Sequence, residues 1–248
     1  MKTNHFVMIL DVEGMRDEKP YNVGYLIGDR KGNIVLERSW ALPNAIWRNL
    51  KNCLKAERMT KKNVEEILAD FGSGDNRKYD YISNVDFMEQ FEKDLEQYKI
   101  SQVWAYNADF DNGSISRLYE NRPMPDVVWC DIMSAACASI CYKKKYVKFC
   151  MENGFLTAKG NIKYSAESVY AYLTQSPNFE EEHTGLEDCR IEYQIYLAVI
   201  KKKQKLHKSL NKGERPWKEL AEIRDTLWFR QNVKGVYNGT DFWSNRRL

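Results

Sequence analysis

The sequence predicts an α/β protein: an antiparallel meander joined to parallel strands, with helices on the faces of the sheet. Three observations carry this. The first 41 residues hold three β-type segments in succession. Beyond residue 44, short apolar runs of strand length alternate with segments of helical period. The last of those segments opens at Gly185 on a capping signature, Thr184-Gly185-Leu186-Glu187.

In chain order, residues 6–10 are an apolar run of strand length that ends in Asp11, Val12 and Glu13. After Gly14 and a polar loop, residues 21–27 read as a second strand. Asp29 to Asn33, with Gly32, reads as a hairpin turn, and residues 34–41 as the third strand. Pro43 ends the meander. Residues 44–71 read as helix in two pieces, the second capped by Thr60, and 72–79 as an exposed turn. Ser83 or Asn84 can cap a helix to about residue 98, with Val85, Met88, Phe91 and Leu95 on one face. Residues 102–106 (QVWAY) read as a strand, followed by a helix to about 121 that Pro123 and Pro125 stop. A fifth strand over 127–132 precedes short helices at 133–142, 146–153 and 165–173. The helix from Gly185 to about 203 repeats Leu186, Cys189, Tyr193, Leu197 and Ile200 at helical spacing.

With 248 residues, 43% of them hydrophobic, the chain can build one large domain plus an extension. No apolar run approaches the ~20 residues of a membrane span. The N-terminal apolar stretch is too short, and too soon acidic, for a signal peptide. A soluble cytoplasmic protein is expected. The 6 cysteines form no C-x-x-C pair and no spacing with His that suits zinc, so reduced, buried thiols are expected. The net charge of +3 is unevenly spread: residues 201–248 carry 13 Lys and Arg against 5 Asp and Glu, leaving 25 against 30 for the rest. A basic tail on an acidic body suits a polyanion held near an acidic, metal-binding centre, and equally a solvated tail.

The chemistry-bearing residues stand at element ends. Residues two apart on a strand share a face, so Asp11 and Glu13 project side by side. Two such carboxylates repel, and burial sharpens the repulsion, unless a divalent metal or a retained proton relieves it. The plain alternative is a polar strand end entering a loop. Asp109 and Asp111 follow the fourth strand, where either could serve as a helix cap. Asp188 lies in the first turn of the last helix, where the helix dipole favours an anion. His183 sits five residues before it, outside the helix.

Asp11-Val12-Glu13, then Asn107-Ala108-Asp109-Phe110-Asp111, then His183-Thr184-Gly185-Leu186-Glu187-Asp188 resemble the three motifs of the DEDDh 3′–5′ exonucleases. That family includes the proofreading subunit of bacterial DNA polymerase, ribonuclease T and oligoribonuclease. Its second motif commonly reads H-N-A-x-F-D, which makes Asp111 the matching acid, and its third H-x-A-x-x-D. The resemblance spans roughly residues 5–203. Gly14 stands where the family usually has Thr or Ser, Tyr106 where it often has His, and Gly185 where it has a small Ala.

The resemblance implies a ribonuclease H-like fold and two divalent ions, Mg²⁺ or Mn²⁺, about 4 Å apart. It implies Asp11 bridging both ions, Glu13 and Asp188 completing one site, Asp111 holding the other, and His183 as general base. The implied substrate is a single-stranded DNA or RNA 3′ end, cut to nucleoside 5′-monophosphates. Gly14, Asn107, Lys201, Lys202 and Lys203 are candidate substrate contacts. Two other readings stand beside this one: a phosphodiesterase for short oligonucleotides or cyclic nucleotides, and a catalytically silent binding module of the same fold. A polymerase or a second copy as partner is left open. Residues 204–248 form an extension beyond the resemblance. Its 216–230 segment reads as a helix with Trp217, Leu220, Ile223, Leu227 and Trp228 on one side.

Overall fold

The computed structural model describes residues 6–14, 19–44, 46, 58–72, 79–141, 143–158, 160–181 and 183–201. It is an α/β protein built on a mixed six-stranded sheet of order β4-β3-β2-β1-β5-β6. β1 (Phe6–Glu13) pairs antiparallel with β2 (Asn22–Asp29) along its whole length, from Phe6↔Asp29 to Glu13↔Asn22. The strand therefore continues through the acidic residues that end its apolar run. β2 turns into β3 (Ile34–Ala41) through Asp29, whose Oδ1 accepts the Lys31 N–H at 2.8 Å and the Asn33 N–H at 3.1 Å. Gly32 takes φ 101° there, which a side chain would resist.

Helix α1 (Arg58–Phe71) leads to β4 (Asp80–Tyr81), which lies parallel to the end of β3. Thr60 lies inside α1 and is not its cap. Helix α2 (Asn84–Gln97) is capped as expected, with Ser83 Oγ accepting the Asp86 N–H at 3.1 Å. The chain then crosses to the far side of β1 and lays down β5 (Gln102–Ala105) parallel to it. Helix α3 (Ala108–Leu118) connects to β6 (Val128–Asp131), parallel to β5. The expected 133–142 helix is instead α4 (Ile132–Ala136) running into a π-helical turn, Cys137–Cys141. Helices α5 (Lys144–Glu152), α6 (Ala166–Thr174) and α7 (Gly185–Lys201) complete the described chain.

Alternation along β1 splits the core in two. Val7 and Ile9 face α4, α5, α6 and α7. Met8, Leu10 and Val12 face α2 and α3. Strand order reverses beside β1, so β1 and β5 are parallel neighbours whose following segments diverge. Such a switch point opens a crevice at the carboxyl ends of the strands. No helix among the described residues is long and apolar enough to cross a membrane. Cys130, Cys137, Cys141, Cys150 and Cys189 are free and buried. Residues 202–248 lie outside the described residues, and with them Lys202, Lys203 and the expected 216–230 helix.

Helix α7 sits unusually close to the sheet because glycines meet. A Cβ on Gly24 would overlap the Gly185 carbonyl carbon and the Leu186 nitrogen, and one on Gly185 would lie 2.5 Å from the Gly24 nitrogen. The Gly185 N–H, a first-turn donor, is satisfied at 2.9 Å by the Oδ1 of Asn22 on β2. Farther along, the Tyr193 hydroxyl donates to the Asp29 carbonyl at 2.6 Å over Gly28. Gly24→Ala must push backbone from backbone, because no flexible side chain can yield. Overpacking of this kind costs about 1–3 kcal/mol or more. The variant is expected to melt well below the wild type, and an unchanged Tm would show that α7 can retreat without cost.

Candidate functional site

The glycine contact sets the site. Asp11 and Glu13 point to the α7 face of β1, as alternation requires. Because Gly185 lies against Gly24 and beside the Asp11 carbonyl, the first turn of α7 starts next to the end of β1 and carries Asp188 there. Glu13, His183 and Asp188 each bring one ligand-type atom within 4.8 Å of the others.

Asp111 arrives from the other side of the crevice. β1 pairs with β5 at Met8 and Ile9 only, so its end splays from β5, and the Val12 N–H donates to Asp111 Oδ1 at 3.1 Å. Asp111 is buried, whereas Asp109 is exposed. The β5–α3 turn that delivers Asp111 is bent at Asn107, which takes the left-handed conformation with φ 71°. Two buried carboxylates grip it. Asp131 Oδ1 accepts the Asn107 N–H at 2.9 Å and the Ala108 N–H at 3.3 Å. Glu192 Oε2 accepts the Tyr106 N–H at 3.2 Å.

Asp11, Glu13, Asn107, Asp111, His183 and Asp188 all line one cleft of about 890 Å³. Burial pushes the Asp11 carboxyl well above its usual range, and the charges of Glu192, Asp111, Glu13 and Asp188 push it further. Burial likewise raises Asp111, opposed by the Val12 N–H. Glu192 is raised by burial and then by Asp111, Asp188 and Glu181. Asp11 Oδ2 and Asp111 Oδ2 are buried with no hydrogen-bond partner among the described residues. Concentrated carboxylate oxygens with such orphaned atoms fit a hard divalent cation.

Carboxyls raised in the folded state bind more protons than in the unfolded chain. Their contribution is full below the ordinary carboxylate range and is lost as pH rises toward the raised folded values. In the presence of a chelator, the protein should melt higher near pH 5 than near pH 8. Mg²⁺ or Mn²⁺ should recover stability mainly at pH 8. A chelated protein whose melting temperature rises from pH 5 to 8, with no response to either ion, would contradict this reading of the cluster.

His183 precedes α7 with φ 57°, a left-handed conformation uncommon outside glycine. Its side chain is 39% exposed, with Nδ1 4.0 Å from Glu181 Oε2. Burial and the neighbouring Glu167 push Glu181 up to about 7.

Several features escaped the sequence reading. Glu192 lies one turn after Asp188 on the same helix, and that i, i+4 spacing was the available signal. Glu181 and Asp131 carried none, because their roles depend on contacts distant in sequence. Glu187, expected to complete a capping box, bonds Arg190, whose guanidinium also bridges Glu37 at 2.8 Å. Gly14 continues from β1 into the loop, with Pro20 Cα 3.3 Å from where its Cβ would stand. Lys201 is exposed at the C-terminus of α7, about 20 Å along the helix from Asp188 and outside the residues that line the cleft.

Fold and site together define an α/β protein with an acid-lined cleft at the carboxyl ends of adjacent parallel strands. No family model matches the chain, and no curated protein matches it either.

Proposed function

We propose that this chain is a divalent-metal-dependent 3′–5′ exonuclease of the DEDDh kind, on a ribonuclease H-like fold. It hydrolyses phosphodiester bonds at single-stranded DNA or RNA 3′ ends and releases nucleoside 5′-monophosphates. The observation that carries the reading is the meeting of Asp11, Glu13, Asp111, His183 and Asp188, from three distant segments, in one cleft. The strand order supports the fold assignment: an antiparallel meander whose first strand is continued on its free edge by parallel β5 and then β6. Free, buried thiols favour a reducing compartment such as the cytoplasm.

Asp11, Glu13, Asp111 and Asp188 would hold two ions, Mg²⁺ or Mn²⁺. When bound, these supply charge neutralisation at the phosphate and acidify the attacking water. His183, at the mouth of the cleft beside Glu13 and Asp188, takes that water's proton. Glu181 beside His183 favours the imidazolium that results. Glu192 and Asp131 hold the turn that aims Asp111. A single strand suits the site because its terminal nucleotide must enter a cleft between α3 and the segment before α6.

The test is release of mononucleotides from single strands of DNA and of RNA, with either metal, compared with a dinucleotide and a cyclic nucleotide. Metal-dependent shortening from the 3′ end is expected. Activity confined to the dinucleotide or the cyclic nucleotide would replace this reading with a narrower phosphodiesterase. Binding of strands without hydrolysis would replace it with a silent module.

A further inference from the structure

Besides the acidic cluster, the cleft is lined by Thr157 and residues 162–165, whose side chains the proposed chemistry does not use. These residues pair back on the strand-like stretch before them. Leu156 and Ile162 form an antiparallel bridge, and the Lys163 N–H donates to the Phe155 carbonyl at 2.9 Å. Two tyrosine hydroxyls from other elements pin this wall of the cleft. Tyr146 of α5 donates to the Lys163 carbonyl at 2.8 Å, and Tyr106, just past β5, donates to the Tyr164 carbonyl at 2.5 Å. Burial pushes the Tyr106 phenol up, so it keeps the proton it donates. The pins spend main-chain carbonyls and leave the side chains available. Tyr164 is 39% exposed, and both it and Lys163 border the cleft.

Charge narrows what this wall can serve. Seven carboxylates border the cleft, and Lys163 is its one Lys or Arg among the described residues. A nucleic-acid strand brings a phosphate at every nucleotide. The scissile phosphate is matched by the ions that the acids would hold. The phosphate upstream of it lacks that support and would face acidic residues unless a protein cation stood there. A strand's bases also need a flat surface once unstacked, and an exposed tyrosine ring supplies one regardless of base identity.

Building on the proposed function, we propose that the wall formed by residues 162–165 is the subsite for the nucleotide immediately upstream of the scissile phosphate. Lys163 pairs with that nucleotide's phosphate, and the ring of Tyr164 stacks on its base. Tyr106 is the positioning residue that holds the wall to the catalytic strand end. Its place directly before Asn107 ties the subsite to the turn that aims Asp111. The substrate class is thus a strand with at least one nucleotide upstream of the scissile phosphate, whose 3′ oxygen is the leaving group, not a lone nucleotide ester.

The experiment compares two substrates on the full chain with Mn²⁺: a short single strand, and the p-nitrophenyl ester of thymidine 5′-monophosphate, which lacks any upstream nucleotide. For Lys163→Ala and Tyr164→Ala, the ratio of kcat/KM on the strand to that on the ester should fall about tenfold, mainly through KM on the strand. Tyr106→Phe removes the pin without opening a large cavity and should move the ratio the same way, by less. In Ca²⁺, the salt slope of strand binding should fall by about one for Lys163→Ala. Equal losses on both substrates, or no loss on the strand, overturn the subsite while leaving the exonuclease reading intact. A wild-type protein that cleaves neither substrate and binds no strand overturns both.

Discussion

Asp11→Asn is expected to lose about 10³-fold or more in turnover and, in chelator, to gain thermal stability at pH 8. The two effects have one cause. The half-buried Asp11 feels the charges of Glu192, Asp111, Glu13 and Asp188, and its Oδ2 is buried with no hydrogen-bond partner among the described residues. A charge in that place is a liability unless a cation answers it. Removing it relieves the metal-free protein at any pH where the carboxyl would ionise. It also removes the ligand expected to serve both ions, so the attacking water and the leaving oxygen lose support together. A purely structural acid would behave otherwise: Asn would disturb packing, lower Tm and leave any metal response in place. Differential scanning fluorimetry across pH 5–8, with and without Mn²⁺, separates the cases alongside the assay. An Asp11→Asn protein that keeps full activity, or that is stabilised by Mn²⁺ as much as the wild type, would refute the assignment.

What was legible in the sequence was local. Alternation along β1 put Asp11 and Glu13 on one face, and the antiparallel pairing with β2 keeps them there. The five-residue step from His183 to Asp188 was legible because it spans one helix start. Ser83 caps its helix because a cap is a contact of three residues' reach. What was not legible depended on partners far along the chain. The first turn of α7 borrows Asn22, 163 positions away. Gly185, which departs from the small Ala of the resembling motif, makes sense only against Gly24, since even a methyl group would meet backbone. Tyr106, which departs from His, spends its hydroxyl on the Tyr164 carbonyl. β4 has two residues, too few for any period to register.

His183→Ala should lose about 10²–10⁴-fold in turnover while metal binding survives. The imidazole stands where either of two roles is geometrically open, because Glu13, His183 and Asp188 each bring an atom within 4.8 Å of the others. A ligand and a base leave different traces. If His183 is the base, calorimetric titration with Mn²⁺ changes little, and raising the pH restores part of the rate as hydroxide replaces the activated water. If it is a ligand, affinity for metal falls with the rate and alkali restores nothing. The environment favours the base. His183 is partly exposed toward the cleft, and Glu181 stands 4.0 Å from its Nδ1, able to stabilise the imidazolium that proton removal creates. Glu181, pushed up to about 7, supplies that charge only as pH rises through neutrality. Glu181→Gln should therefore weaken the base by less than losing the imidazole does, and most visibly above pH 7. Unchanged turnover of His183→Ala across pH 6–9 would remove histidine from the mechanism, since that interval brackets the ordinary imidazole value of about 6.5. Tyr106 could not take its place, because burial raises its phenol and its proton is committed to the Tyr164 carbonyl. Glu181, which lines the same cleft, would be the next residue to test.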